Sequence, residues 1–449
     1  MSGQRHRPGC LNLTGRKSME TLLIKNATIV TLGKKPRIIK GSILVEDNKI
    51  RKIGDFNETA DEKIDARKKI VIPGLICSHS HMMGAFIRGM PINEAPKNFP
   101  ENLEKIWWKI DKRMNLNDIY ISALLCLVEM TKNGLTSFAE NHVSPFAATG
   151  SLDEIAKATE QAGLKGVLSL EVSDRDGTKI RNNCIAENER FIKKGKGRTL
   201  GNFGIHASFT VSDETLSKCV EVGEKHNVGF QIHVGEDSCD QKDSMNKYGM
   251  RVVQRLEKAG ILGPKTIAAH CVHIDNNEIG ILKRTNTSVT HNPQSNMNNG
   301  VGVSPVPQLL KDSLRVGIGT DGFTYNMFRE AMATYLVHKL SSGDPRVMPA
   351  DVVLRLLYEN NAKIVGFDVG SLEVDKLADI LVLNYKPPTP MTAGNFPWHF
   401  VFGMNGSNVE TVIAEGKVIM ENRGLKNLSE EDIVIDSKEA AQGLWDRIR

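Results

Sequence analysis

The 449-residue sequence has no Cys-x-x-Cys pair, and its seven cysteines (Cys10, Cys77, Cys126, Cys184, Cys219, Cys239, Cys271) are an odd number. This argues against a disulfide framework and predicts reduced thiols in a cytoplasmic protein. No apolar run approaches 18 residues, so no transmembrane helix is expected. The first eighteen residues lack the apolar stretch of a secretory signal and contain no acid, only Arg5, Arg7, Arg16 and Lys17 among charged side chains. Residues 1–18 are therefore expected to be a tag or an upstream extension, with the fold opening at Met19. The whole chain carries 58 basic and 53 acidic residues, a formal +5, and the four bases of that extension account for all but +1. Nucleic acid loses its electrostatic motive as a partner. With 40% hydrophobic residues, the chain is not disordered as its main state.

What is present is a change of texture along the chain. Thr21 to Leu32 and Ser42 to Ile53 are short alternating runs rich in Ile, Val and Leu, separated by turn residues, and Ala378–Leu383 and Val409–Met420 repeat that texture near the other end. These predict one small β-sandwich domain composed of residues 19–72 and 369–449, the latter with a terminal helix. Between them, residues 73–368 alternate short apolar runs with helical stretches, the pattern of parallel strands with crossover helices. Eight such runs (Ile70–His81, Leu135–His142, Gly166–Ser173, Phe203–Phe209, Gly229–Glu236, Thr266–Val272, Ser288–Pro293 and Val316–Gly322) predict an α/β fold of the (β/α)8 TIM-barrel type.

Functional side chains of such barrels gather at the carboxyl ends of the strands. Each of the eight runs ends in a titratable residue: His79 and His81, Glu140 and His142, Glu171, His206, His233 and Glu236, His270, His291, and Asp321. In a strand, residues two apart share a face, so His79 and His81 can offer two imidazoles to one point. With His233 and Asp321 they supply the nitrogen and oxygen set that a divalent metal requires. The metal expected is Zn2+ first and Fe2+ as the alternative, since His and Asp suit both. Such a metal lowers the pKa of its water to about 7. Asp321 can take that water's proton, Glu236 fits a general acid–base, and His270 fits an orienting or charge-stabilising group. His142, Glu171, Arg175, His206 and His291 are candidate substrate contacts; for His142, Glu171, Arg175 and His291, capping or packing competes equally with contact. A strand-end His more often makes a hydrogen bond than a ligand bond, and the Asp321 turn alone reads as ordinary; the weight lies in the eightfold coincidence.

With these residues in place, the chain resembles the amidohydrolase superfamily, in its cytosine-deaminase-like aminohydrolase and chlorohydrolase branch. The resemblance rests on Pro73-Gly-Leu-Ile-Cys-Ser-His-Ser-His81, Gln231-Ile-His-Val-Gly-Glu236, Ala269-His-Cys-Val272, His291-Asn-Pro-Gln-Ser-Asn296 and Gly319-Thr-Asp-Gly322. Through Ile106-Trp-Trp-Lys-Ile-Asp111, Glu140-Asn-His-Val-Ser-Pro145 and Glu171-Val-Ser-Asp-Arg175 it is most similar to the aminohydrolases called SsnA. The resemblance implies a mononuclear metal on His79, His81, His233 and Asp321 with Glu236 and His270 catalytic. Binuclear members carry a bridging lysine at the end of strand four, where this chain has Gly204-Ile-His-Ala-Ser-Phe209. It also implies a homodimer or higher homo-oligomer, and a place in purine catabolism.

The expected function is hydrolytic C–N cleavage on a small heterocycle, most simply deamination of a purine- or pteridine-like ring. Ring opening of a dihydropurine-type amide, or displacement of chloride, would use the same site. A non-catalytic scaffold has no need of a complete ligand set.

Overall fold

The computed structural model describes residues 20–448; the extension expected at 1–18, and Cys10 within it, lie outside them. Eight parallel strands form the central barrel: Leu75–Ser80 (β1), Leu135–His142 (β2), Lys165–Leu170 (β3), Phe203–Ala207 (β4), Phe230–Val234 (β5), Ile267–His270 (β6), Ser288–His291 (β7) and Val316–Ile318 (β8). Pairing runs continuously from β1 to β3 and from β4 to β8. Two bridges close the ring, Val172 to Ile205 and Ser80 to Asp321. The second is made by the Asp321 amide donating to the His79 carbonyl at 3.1 Å and the His81 amide donating to the Asp321 carbonyl at 3.4 Å. A barrel seam thus lies at the residues expected to bind metal.

The run Ile70–His81 is not one strand. It breaks at Gly74, whose amide donates to the Asp379 carbonyl at 2.9 Å, and a Cβ there would lie 2.3 Å from Thr136 Oγ1. Ile70–Pro73 leaves the barrel and pairs antiparallel with Ile380–Leu383, placing Val71 opposite Val382. Nine strands drawn from both ends of the chain are joined in that sheet. Val71, Ile380 and Val382 face its own apolar core with Leu22, Ile24 and Ile43, while Ile70, Ile72, Leu381 and Leu383 face the main core of the barrel layer. Burial on both faces explains why these two segments are unbroken apolar runs instead of alternating ones. No helix among the described residues is long and apolar enough to cross a membrane.

A buried ion pair joins the two units. Lys165, at the start of β3, donates from Nζ to both carboxylate oxygens of Asp379 at 2.7 Å, and both side chains are 1% exposed. Asp379 Oδ1 also accepts from the Glu415 amide at 3.0 Å. Removing one partner strands a buried charge, at a cost of about 3–5 kcal/mol. Lys165→Met is expected to lower the unfolding free energy by that much, and with it the denaturation midpoint, and Lys165→Met with Asp379→Leu to recover most of it; chemical denaturation of the three proteins checks both. An unchanged midpoint in Lys165→Met would show that the pair carries no net weight.

Candidate active site

His79 and His81 point into the mouth of the barrel because the intervening Ser80 points out of it, donating to Glu140 Oε2 at 2.6 Å and to the Ala139 carbonyl at 3.0 Å. The His81 Nδ1 lies 2.6 Å from the Asn141 carbonyl and the His233 Nδ1 lies 2.7 Å from the His206 carbonyl. A carbonyl only accepts, so both Nδ1 atoms carry the proton and both Nε2 atoms present lone pairs. Those two Nε2 atoms lie 3.0 Å apart. Burial and neighbouring histidines keep all three imidazoles neutral: it pushes His81 down to about 4, lowers His233, and takes His79 well below 6.5.

Asp321 completes the set, with Oδ1 3.3 Å from His81 Nε2 and 3.9 Å from His79 Nε2. Its backbone is left-handed (φ 58°), as is that of His270 (φ 71°). Such non-glycine conformations cost on the order of 1–3 kcal/mol and cluster at functional sites. Burial opposes ionisation of Asp321, but the charge that His81, His270 and His233 carry when protonated, together with the Ser295 hydroxyl, holds the carboxyl below its usual range. That hydroxyl donates to Oδ2 at 2.5 Å. His79 Nε2 is buried without a hydrogen-bond partner. Its Nδ1 lies 2.7 Å from Gln231 Nε2, while Gln231 Oε1 has no partner; turning that amide over lets Nδ1 donate and frees the Nε2 lone pair too. Facing lone pairs with a carboxylate between them are a repulsive arrangement for protein atoms alone. They suit a cation, and the donor set fits a divalent metal.

Beside this point stand Glu236 and His270, Glu236 Oε2 lying 3.6 Å from His270 Nε2. His270 Nδ1 is 2.7 Å from Asn296 Oδ1 and its Nε2 is 3.8 Å from Asp321 Oδ2. Burial first, and Asp321 second, raise the Glu236 carboxyl to about 8, while Asn299 donates to its Oε1 at 3.3 Å. These groups open on a cleft at the mouth of the barrel. Phe99, Leu103, Trp107, Trp108 and Val143 form its apolar wall; Asp111, Glu171, His206 and Asn299 add polar groups. The tryptophans sit in a helical stretch, residues 99–111, with a π turn at Leu103–Trp107, a distortion common at functional sites. Phe323 packs edge-on against Trp107 at 5.7 Å, and Gly322 is needed there, since a Cβ would come within 2.3 Å of the Trp107 ring.

Of the five expected substrate contacts, Glu171 and His206 line the cleft. His142, Arg175 and His291 do not. Strand alternation sends Asn141 inward, donating to Glu171 Oε1 at 3.1 Å, and turns His142 outward onto Ser144 at 2.9 Å. On β7 the inward side chains are Thr290 and Asn292, and His291 packs outward against His338, ring centres 4.9 Å apart. Arg175 is held behind the wall, donating to Asp111 Oδ2 at 2.8 Å with its guanidinium 4.7 Å from the Trp108 ring. Burial raises the Asp111 carboxyl above its usual range, and Arg175 opposes this only in part. Asn141, Gln231, Ser295, Asn296 and Asn299 were not singled out as site residues. Their signal was the density of amide and hydroxyl residues in 292–299 and the inward parity shared with the histidines.

The chain matches the Amidohydrolase family over residues 70–419. It is 34% identical to the 5′-deoxyadenosine deaminase of Methanosarcina acetivorans over 95% of this chain and 99% of that protein. It is 31% identical to the 5-methylthioadenosine/S-adenosylhomocysteine deaminase of Thermoanaerobacter pseudethanolicus over 95% of this chain and 100% of that protein. A zinc-bound adenosine deaminase structure from Xanthomonas campestris shares the fold with a TM-score of 0.85 at 20% identity, covering 94% of this chain and 98% of that one. Together with the barrel and its metal-suited mouth, these place the chain in the Amidohydrolase family, on its aminohydrolase branch.

Proposed function

We propose that this protein is a hydrolytic deaminase that replaces the 6-amino group of an adenosine-type nucleoside with oxygen, releasing ammonia. The observation that carries the reading is the convergence of His79, His81, His233 and Asp321 on one point with Glu236 and His270 beside it. The near full-length relatives that deaminate adenosine derivatives supply the substrate class. The six free thiols among the described residues accord with a reducing cytoplasm.

A single divalent metal, zinc in the first instance, would be held by His79, His81, His233 and Asp321 and supply an activated water at neutral pH. The remaining work falls to the chain. Glu236 holds a proton up to about pH 8 because of burial and Asp321, and it delivers that proton to the ring nitrogen beside the attacked carbon. Asp321, whose Oδ2 accepts from the Ser295 hydroxyl, accepts a proton from the incoming water and passes it to the departing amino group, while Glu236 regains its proton from the added hydroxyl as the 6-oxo group forms. Neutral His270, fixed by Asn296, orients that water between the two carboxyl groups. The apolar wall excludes bulk water, which strengthens each of these interactions. Water and the amine enter; the 6-oxo purine and ammonia leave.

Ammonia release from 5′-deoxyadenosine or 5′-methylthioadenosine is expected. Glu236→Gln should lower kcat by about 10²–10⁴-fold, the usual weight of a general acid–base, and a fully active variant would remove Glu236 from this role. Product gaining one water with no ammonia would instead indicate ring opening. Metal analysis should find one equivalent per chain, falling to near zero in His79→Ala or His233→Ala. Chelation should abolish turnover and one equivalent of zinc restore it; a requirement for two would overturn the mononuclear site.

A further inference from the structure

A relay of amides ties the apolar wall of the cleft to Glu236. Among the described residues 99–107, the side-chain hydrogen bond that reaches the barrel is made by Asn102, whose Nδ2 donates to Asn299 Oδ1 at 3.1 Å. Asn299 carries the contact onward, its Nδ2 donating to Glu236 Oε1 at 3.3 Å and to Ser295 Oγ at 3.4 Å. Ser295 decides which end of that amide faces Glu236. Its hydroxyl hydrogen is committed to Asp321 Oδ2 at 2.5 Å, so its Oγ can only accept from Asn299, and the NH2 group is the end turned toward it. The carbonyl end then faces the wall, where Asn102 and Asn298 donate to it. The relay therefore runs in one direction, from Asn102 to Glu236.

At Glu236 this direction selects an oxygen. Oε1 receives an N–H, so the proton of the carboxylic acid belongs on Oε2. Oε2 is the oxygen turned toward the reacting groups, 3.6 Å from His270 Nε2. That nitrogen carries no proton, since Nδ1 faces Asn296 Oδ1 at 2.7 Å and Asn292 Nδ2 donates to Nε2 at 3.3 Å. We infer that Asn102, which does not itself line the cleft, is a positioning residue of the reaction: through Asn299 it keeps the proton of Glu236 on Oε2, so the acid is aimed at the ring only while the wall helix is seated. This rests on the deaminase reading and adds to it a link between wall and acid. Phe99, Leu103 and Trp107, four residues apart on that helix, line the cleft, so a substrate packed against them also holds Asn102 in place. Contact made far from the reacting carbon thereby goes into orienting the acid.

The test is a double-mutant cycle on the metal-loaded full chain with 5′-deoxyadenosine as substrate. Asn102→Asp puts an acceptor where the relay needs a donor; the Asn299 amide turns over, presents its carbonyl oxygen to Glu236 and draws the proton to Oε1. Its kcat is expected to fall by at least about tenfold, a part of the weight of a general acid–base, with KM changed by less than about threefold. Asn299→Leu, which removes the relay, should lower kcat to a similar degree, and Asn102→Asp should then add nothing to it, because residues of one hydrogen-bonded chain are not additive. An unchanged kcat in a folded, metal-loaded Asn102→Asp protein overturns the inference. So does a rise in KM with kcat kept, which would leave Asn102 only seating the wall, and so do losses that multiply in the double variant. Hydrogen exchange of the amides of residues 99–107, followed in Asn102→Ala, Asn299→Leu and their double variant, separates the two readings should no nucleoside release ammonia. Faster exchange in each single variant with no further rise in the double would then uphold the tie between wall and Glu236 while the deaminase reading falls, and exchange unchanged from the native protein would overturn the tie itself.

Discussion

Two imidazole nitrogens turned lone pair to lone pair at 3.0 Å repel, and the structure around His81 and His233 is arranged to hold them there. The carbonyls of Asn141 and His206 fix each ring's tautomer from behind, so neither Nε2 can relieve the contact by carrying a proton toward its neighbour. Those carbonyls belong to β2 and β4, and the rings belong to β1's end and β5; the site therefore depends on four strands being in register. Barrel closure between Ser80 and Asp321 brings the fourth ligand across the seam. Without closure there is no site, and without a cation the closed site stores repulsion.

The left-handed backbone at His270 and Asp321 belongs to the same account. A side chain at the end of a strand ordinarily continues the strand's alternation. Turning the backbone through the left-handed region re-aims it, so His270 and Asp321 face Glu236 and the metal point together. Amides and hydroxyls of residues 292–299 then lock the result: Asn292 and Asn296 on His270, Ser295 on Asp321, Asn299 on Glu236. One short segment after β7 thereby positions three reacting groups that come from three other strands.

Much of this was legible in the sequence. The His79–His81 spacing, the eight strand-end residues and the composite β texture required only the two-residue period and the βα alternation. The limits of that legibility are equally specific. A strand end announces that a residue is near the mouth but not which way it faces, and the inward parity of Asn141 and Asn292 displaced His142 and His291 from the cleft. Arg175 was placed near the cleft by its position after β3, yet its partner Asp111 lies 64 residues earlier, so nothing local showed that the charge was already matched. The Lys165–Asp379 pair spans 214 residues and was invisible for the same reason. Ile70–His81 reads as one run, whereas Gly74 divides it into two strands, and the clash that demands a glycine there comes from the distant Thr136.

The strand Ile70–Pro73 has an implication for synthesis. One of its edges finds Thr21–Val30 early, since Ile29 pairs with Val71. Its other edge waits for Ile380–Leu383, about three hundred residues later. At ribosomal rates of roughly 5–20 residues per second, an apolar strand with an open edge stands exposed for roughly 15–60 seconds on each nascent chain. The barrel must assemble in that interval while tethered to an unfinished sheet. An open apolar edge is a template for pairing with other chains, so the vulnerability of this protein to misassembly is set less by the stability of its finished core than by the time its last hundred residues take to arrive.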